Sequence, residues 1–450
     1  MLTQFAVPVL ALWLGSAQEE YDYKVYSDAP RLLLRERRLR LLRRERERES
    51  LRWQQFSLLM EGKAAMPEAG FASALYGIVT NSAESCRAAV RGAGADVRQA
   101  ALVFDWCADQ LSQADKASLI ARLRPQLAQK TTDMLGARNR VFAALALADL
   151  DPAGSEKALR EVVEGWWKPH VVPLLTARRY PLTAPDRIYA LMEIAHVLRD
   201  NLKLELRDTA PAWFDELPAL QMLSTYPAPW PATENEYRIP VFEGAGEPDL
   251  RLAALSRAAS LALVAFDTNA QPQQFLQGWL LLDRFLMRGA FGIPYEFLWA
   301  NPYQPGLSYY YMPDVYLTHG RLLIRSSWEE DATWFGYWDG KAQFFRDGAR
   351  SSVNVDSAPG VVEVGDARVY FAGAGMKFDS GELPVDEEAR KREQLVFILH
   401  LKPMAHYDVD VDGEEMTEVA ADEGGILALK FARGRKVSVR VKPAGAPPVQ

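Results

Sequence analysis

The chain has 450 residues, enough for two or three domains and a large core. Its 49% hydrophobic and 25% charged composition is that of a soluble globular protein. The net charge of -7 argues against a nucleic-acid role, which draws on clustered Lys and Arg, although a local basic groove is compatible with that sum.

An uncharged apolar run from Phe5 to Leu14 is followed by Gly15-Ser16-Ala17, small residues of the kind signal peptidase accepts. The run is too short to span a bilayer comfortably. Residues 1–17 are therefore expected to be a signal peptide, with the mature chain starting near Gln18 in the periplasm or outside the cell. No later segment is long and apolar enough for a membrane span.

The stretch PRLLLRERRLRLLRRERERESLRWQQF, from Pro30 to Phe56, interleaves Arg and Glu on a leucine-bearing helix. Such a helix can bind a polyanion, but alternating signs more commonly mark a solvated face, and that reading is preferred. The two cysteines, Cys86 and Cys107, can oxidise in an exported protein or remain two small buried residues on neighbouring helices. The second state is taken.

From Ala29 to about Trp299 the apolar residues recur at helical spacing. In LSQADKASLIARL, Ser112 and Asp115 form a capping-box pair ahead of an apolar face of Ala117, Ile120, Ala121 and Leu123. VFAALALADLDP closes at Asp151-Pro152, and RLAALSRAASLALVAF is a further helix. The helix PDRIYALMEIAHVLRDNL buries Ile188, Leu191, Met192, Ala195 and Leu198 on one side. Asp186, Tyr189, Glu193, His196 and Asp200 fall on an adjacent face at steps of three and four.

Two readings of that stripe stay open. In one, Tyr189 and His196 transfer protons and Glu193 tunes the imidazole, an acidic setting that suits a neutral sugar better than a uronate. In the other, Asp186 caps the helix, Tyr189 and His196 pack, and the acids are solvated. Arg178, Arg179 and Tyr180 offer a basic neighbourhood with a second tyrosine, and Trp166, Trp167 and His170 are of the kind that line sugar clefts or pack helices.

After Pro305 the period becomes two, as in KVSVRVK, and Asp339-Gly340, Asp347-Gly348 and Asp412-Gly413 supply hairpin turns. NPYQPG, Asn301 to Gly306, is the joint. DVDVDGEEMTEV places Asp408, Asp410, Asp412 and Gly413 as a calcium loop does, but its twelfth position is Val419, so a hairpin is expected. No zinc spacing, phosphate loop or nucleophile elbow is present, and no metal or cofactor is expected.

PRLLL near the start, ALVFDWCADQLSQADK within the helices and GRLLIRSSWEEDATWFGYWDG opening the sheet together resemble the heparinase II/III-like polysaccharide lyases and related alginate lyases. The resemblance implies an incomplete (α/α) toroid over residues 27–300 and an antiparallel β-sandwich over 306–443, with a polysaccharide held between them. It also implies β-elimination on uronic-acid polymers, in which a Tyr and a His move the protons while Asn, His or Arg neutralises the carboxylate.

The chain departs from the family in one respect. KAQFFRDGARSSVNVD, Lys341 to Asp356, stands where a histidine-bearing segment is expected and has no histidine; His319, His400 and His406 lie elsewhere. The expected function is therefore to cleave or bind a polysaccharide. The alternatives are a non-catalytic glycan-binding or envelope scaffold protein and a glycoside hydrolase using cleft carboxylates. The candidate catalytic residues are Tyr189, His196 and Glu193, with Arg178, Arg179, Tyr180, Trp166, His170 and Trp338 as substrate contacts and the Tyr309 to Tyr311 cluster in reserve.

Overall fold

The computed structural model describes residues 22–444 other than 232–235, 283–288, 357–359, 373–375, 380–392, 414 and 433–436. The expected signal peptide, 1–17, lies outside the described residues. From Glu36 to Trp299 the described elements are helices apart from one two-residue strand pair, Trp230–Pro231 with Glu236–Tyr237. From Val315 onward the described elements are strands. The protein is thus mixed α and β, with the two kinds of structure segregated along the chain where the apolar period changes. No helix among the described residues is long and apolar enough to cross a membrane.

Side-chain oxygens start many of the helices. Ser50, Ser82, Asp96, Ser112, Asp133, Asp151 and Asp249 each accept a backbone N–H from the first helical turn. Asp151-Pro152 opens the helix Pro152–Val162, the preceding one having ended at Ala146. The Ser112 helix buries Leu119 and Leu123, whereas Ala117 and Ala121 are exposed, a correction to the face expected there. Sequential helices pack in pairs, such as Ala69–Thr80 on Ala83–Gly92 and Met134–Ala146 on Pro152–Val162. The helix Pro185–Leu202 packs between Met134–Ala146 and Leu250–Phe266. Cys86 and Cys107 are disulfide-bonded with Cα atoms 5.6 Å apart, which corrects the expectation of two free thiols. The 21-residue separation corresponds to a loop-closure stabilisation of about 3 kcal/mol.

The PRLLL segment enters the helical core as an irregular strap. Asp105 accepts the backbone N–H of Arg31 at 2.8 Å and of Leu32 at 2.8 Å, and Trp106 Nε1 donates to the Leu32 carbonyl at 2.7 Å. Asn201 Nδ2 donates to the Arg31 carbonyl at 3.0 Å, and the Arg31 guanidinium forks onto Asp149 at 2.6 and 2.9 Å. Leu32, Leu33 and Leu34 are buried. These bonds fix where the arginine-rich helix, Glu36–Glu47, begins.

Among the described residues the β region forms three sheets. A five-stranded antiparallel meander runs Val315–Thr318, Arg321–Arg325, Trp334–Trp338, Lys341–Arg346 and Ala349–Val353. A four-stranded sheet follows in the order Leu427–Ala432, Glu393–Leu399, Ala367–Phe371, Val361–Val364, and its central pair is parallel, so the region is not wholly antiparallel as expected. The third sheet orders Lys377–Asp379, Ser438–Pro443, His406–Val411 and Glu415–Ala420. Asp339, Asp347 and Asp412 take left-handed backbone ahead of their glycines, as the expected hairpin turns require. The calcium-like segment is the hairpin of His406–Val411 with Glu415–Ala420.

Strand alternation assigns each face. In the first sheet Leu322, Ile324, Phe335 and Tyr337 form a core with Val369, Phe371, Phe397 and Leu399 of the second, while Leu323, Trp334 and Trp338 join the helical core. The second sheet's other face, Tyr370, Val396 and Ile398, packs on Tyr407, Val409, Val439 and Val441 of the third. The aromatic hairpin therefore sits between the helices and the second sheet and is covered on both sides.

Burial raises the Asp105 carboxyl from 3.8 to about 6, outweighing the backbone N–H groups of Leu32 and Arg31 and the charge of Arg31. A folded-state value above the unfolded one gives a contribution that is complete below about pH 3.8 and lost as pH rises through 6. Wild type should therefore gain up to about 3 kcal/mol relative to Asp105→Asn as pH is lowered from 7 to 4. Parallel denaturant titrations read this, and a pH-independent difference between the two proteins would contradict it.

Candidate functional site

All of the helix Pro185–Leu202 is buried except Asp186, Arg187, Arg199 and Asp200, so it has no solvated stripe. Asp186 lies in the first turn, and no side chain caps the helix at Ala184. Glu193, fully buried, accepts from Arg98 Nε at 3.0 Å and Nη2 at 2.7 Å and from Arg138 Nη1 at 3.4 Å. Burial opposes the charge of Arg98, but Glu193, Tyr295, Glu68 and Tyr189 overcome it and hold the guanidinium well above its ordinary value. The Tyr189 hydroxyl accepts from Trp299 Nε1 at 3.0 Å and Arg98 Nη2 at 3.5 Å. Burial first, then the nearby Glu193 charge, pushes that phenol well above the usual tyrosine range.

These groups form a closed ionic core, which corrects both sequence readings of Glu193. It neither tunes His196 nor is solvated.

His196 lies one helical turn further along. Its Nε2 is 2.8 Å from the Ala262 carbonyl, and its ring is 4.9 Å from Phe266 and 4.7 Å from Trp299. Burial, with Arg38 and Arg199 nearby, drives the imidazole well below 6.5 despite the carbonyl bond, so the ring is neutral and Nε2 carries the proton.

The other sequence candidates are dispersed. Arg178 forks onto Glu216 at 2.7 and 3.1 Å, and Tyr316 donates to the same carboxylate at 3.0 Å. Arg179 is exposed and pairs with Glu423 at 3.7 Å. Tyr180 is buried edge-on to Trp213, and burial raises its phenol. Trp166 and Trp167 are buried in a π-helical turn, Val163–Val171, that accommodates Pro169 and leaves His170 exposed. Trp338 is 1% exposed in the core against the helices, which removes it as a sugar platform. Tyr310 and Tyr311 are exposed, and Tyr309 is buried against Trp328.

A different site does form, at one end of the helices. A cleft of about 820 Å³ is lined by Arg35, Arg37, Arg38, Arg40, Arg44 and Arg199, with His196, Phe266 and Trp299 also among its lining residues. The cavities lined by Tyr237 are far smaller, at about 30 and 90 Å³. Among the described residues, none from the three sheets lines the large cleft. It opens at the C-terminal end of Leu250–Phe266, whereas that helix's other half meets the Glu236–Tyr237 strand and Arg325 of the first sheet bonds the Met222 and Thr225 carbonyls.

Helix ends explain why arginines gather there. The helices Pro185–Leu202, Leu250–Phe266 and Ile293–Trp299 present their C-termini, which carry unpaired carbonyls and a partial negative charge. Arg38 Nη1 donates to the Leu298 carbonyl at 3.0 Å with its guanidinium 4.6 Å from the Trp299 ring. Arg199 Nη1 donates to the Phe266 carbonyl at 2.5 Å with its guanidinium 3.8 Å from that ring. Burial lowers Arg38 to about 10, which leaves it charged at neutral pH.

Arg37, Arg40 and Arg44 follow at steps of three and four on the first helix, about 10 Å from end to end at ~1.5 Å per residue. All three are exposed. Arg40 pairs with Glu36 at 3.3 Å, and Arg37 and Arg44 have no ion pair among the described residues. Six arginines face two aspartates, Asp200 beside Arg199 at 3.5 Å and Asp267 bound by Arg207 at 2.6 Å. The arrangement can hold a chain of anionic groups through bidentate guanidinium contacts. The arginine spacing was the signal available in the sequence, where it was assigned to a solvated face.

No family model matches the chain, and no curated protein matches it.

Replacing Glu193 with alanine strands Arg98 and Arg138 in the core and should destabilise the fold by about 3–5 kcal/mol. Chemical denaturation measures it, and a loss below about 1 kcal/mol would show that the pair is not a structural anchor.

Proposed function

We propose that this protein is exported and binds an acidic, uronate-type polysaccharide in the arginine-lined cleft. Its architecture is read as an incomplete (α/α) toroid followed by a sandwich of stacked sheets, resembling the heparinase II/III-like lyases. The paired helices and face-to-face sheet cores support the architecture, and the Cys86–Cys107 disulfide supports export, because such bonds persist in oxidising compartments. The observation that carries the ligand class is the cleft itself, six arginines lining one large cavity of a chain whose net charge is -7.

Binding is favoured over cleavage because the groups suited to proton transfer are not assembled in the cleft. Tyr189 and Glu193 are sealed in the ionic core, and among the described residues no tyrosine lines the cleft. A hydrolase reading is disfavoured on similar grounds. Asp186 and Asp200 stand at opposite ends of one helix, about 21 Å apart at ~1.5 Å per residue, beyond the ~5–9.5 Å that paired glycosidase carboxyls span. Burial acts to raise Asp267, but bonds from Arg207, Asn269 and Ala270 outweigh it and hold the carboxyl below its usual value, the wrong direction for a general acid.

Arg37→Ala combined with Arg44→Ala should weaken binding of oligogalacturonate or oligoalginate about tenfold or more and flatten its salt dependence, at unchanged thermal stability. Calorimetric titration at two ionic strengths is the measurement, and full affinity in the double variant would remove the cleft as the site. The same polymers, monitored for the absorbance of unsaturated uronate, should show no wild-type signal; its appearance would replace binding with β-elimination. N-terminal sequencing of protein from the native host should begin near Gln18, and an intact Met1 in the cytoplasm would exclude export.

A further inference from the structure

The cleft is rich in donors. Arginine can only donate; the other polar side chains lining the cleft are Asp200, Asp267, Thr268, Gln277, Asn301 and Gln304, and Gln277 Nε2 donates to the Asn301 and Gln304 carbonyls at 3.0 Å each. Asn301 Oδ1 accepts from the Tyr303 backbone at 3.3 Å, and Asp267 is taken by Arg207 and by the Asn269 N–H at 3.4 Å. A polymer that brings hydroxyls as well as anions needs somewhere to donate them.

His196 meets that need. Because a carbonyl only accepts, the 2.8 Å contact with Ala262 requires the proton on Nε2, and the neutral ring then has its lone pair on Nδ1. Nδ1 has no partner among the described residues and is not among the buried polar atoms left unsatisfied, and His196, although only 4% exposed, lines the cleft. Contacts with Phe266 and Trp299 on two sides fix the ring's orientation. Arg38 and Arg199, stacked on those same two rings, put guanidinium groups beside this acceptor.

We infer that His196 is a specificity-determining residue whose Nδ1 accepts a hydroxyl of the bound polymer, so that the cleft selects hydroxyl-bearing polyanions over polyanions of equal charge that lack hydroxyls. The inference rests on the proposed binding of an acidic polysaccharide in this cleft. It gives the arginines the charge and His196 the recognition of a sugar, which charge alone cannot supply, since guanidinium forks accept any carboxylate, sulfate or phosphate.

The test compares oligogalacturonate with poly-L-glutamate of matched charge, titrated against wild type, His196→Gln and His196→Asn at two salt concentrations. Glutamine carries its amide nitrogen to the Nε2 position, keeping the Ala262 bond while losing the acceptor at Nδ1. Asparagine places its amide oxygen near Nδ1 and keeps the acceptor. Wild type should prefer oligogalacturonate about tenfold, the glutamine variant should lose that preference, and the asparagine variant should keep most of it, all three with the same salt slope. Equal wild-type affinity for the two polymers, or an undiminished preference in the glutamine variant, would overturn the role of His196 and leave the cleft standing. Failure of wild type to bind either polymer in a salt-dependent way would overturn the cleft reading, and this inference with it.

Discussion

The constraint on which this molecule depends is the need to satisfy carbonyl groups at the C-termini of helices that end inside the structure. A buried acceptor without a donor costs about 1–3 kcal/mol, and each helix leaves up to four of them. The arginine-rich segment answers much of that need. Arg43 and Arg46 donate to the Ile78 and Val79 carbonyls at 3.3 Å, closing the helix Ala69–Thr80, while Arg52 reaches the Glu296 carbonyl at 3.3 Å and also bonds that of Ala300. Arg38 and Arg199 serve the helix ends at the cleft. The strap at Pro30–Leu34, held by Asp105 and Asn201, sets where this row of donors starts. The helix Glu36–Glu47 thereby reaches two helix ends that lie far apart in the sequence.

Using arginine for this purpose has a second effect. A guanidinium has five N–H groups in a planar fork, and a carbonyl occupies one or two of them, so a capping arginine keeps donors to spare. Arg38 and Arg199 are held by stacking on aromatic rings, so less rotamer freedom remains to be lost when an anion arrives. The negative net charge of the chain does little to cancel this field. At physiological ionic strength the screening length is about 8 Å, so an anion inside the cleft responds to the six nearby arginines more than to acidic residues on distant faces.

What was legible in the sequence was whatever depends on neighbours along the chain. The change of apolar period, the Ser112 helix start, the Asp-Gly turns and the hairpin character of the calcium-like segment are all local, and the fold contains them. The site was not local. Glu193 looked like part of a solvated stripe because its partner, Arg98, is 95 residues away. His196 owes its neutrality to burial against other helices and to Arg38, neither of which its own helix supplies. The arginine row read as a solvated face because nothing in its sequence shows that three other helices end beside it. One nonlocal feature did leave a trace, since RLLIR and WFGYW are apolar beyond simple alternation, as suits strands covered on both faces.

The buried ionic core and the cleft are parts of one mechanical unit. Arg98, fixed by Glu193, also touches the Tyr189 hydroxyl, and the same hydroxyl accepts from Trp299 Nε1. Trp299 in turn carries Arg38 on its face and His196 at its edge. Glu193 and His196 are three residues apart, so the ion pair that fixes the rotation of Pro185–Leu202 also fixes the azimuth at which His196 and Arg199 meet the cleft. Arg38, Arg199 and His196 are therefore positioned by a desolvated charge pair, whose interaction is much less weakened by salt than that of surface pairs. A ligand held by these arginines must conform to a spacing set from inside the protein, because the groups that contact it have little freedom to follow its shape.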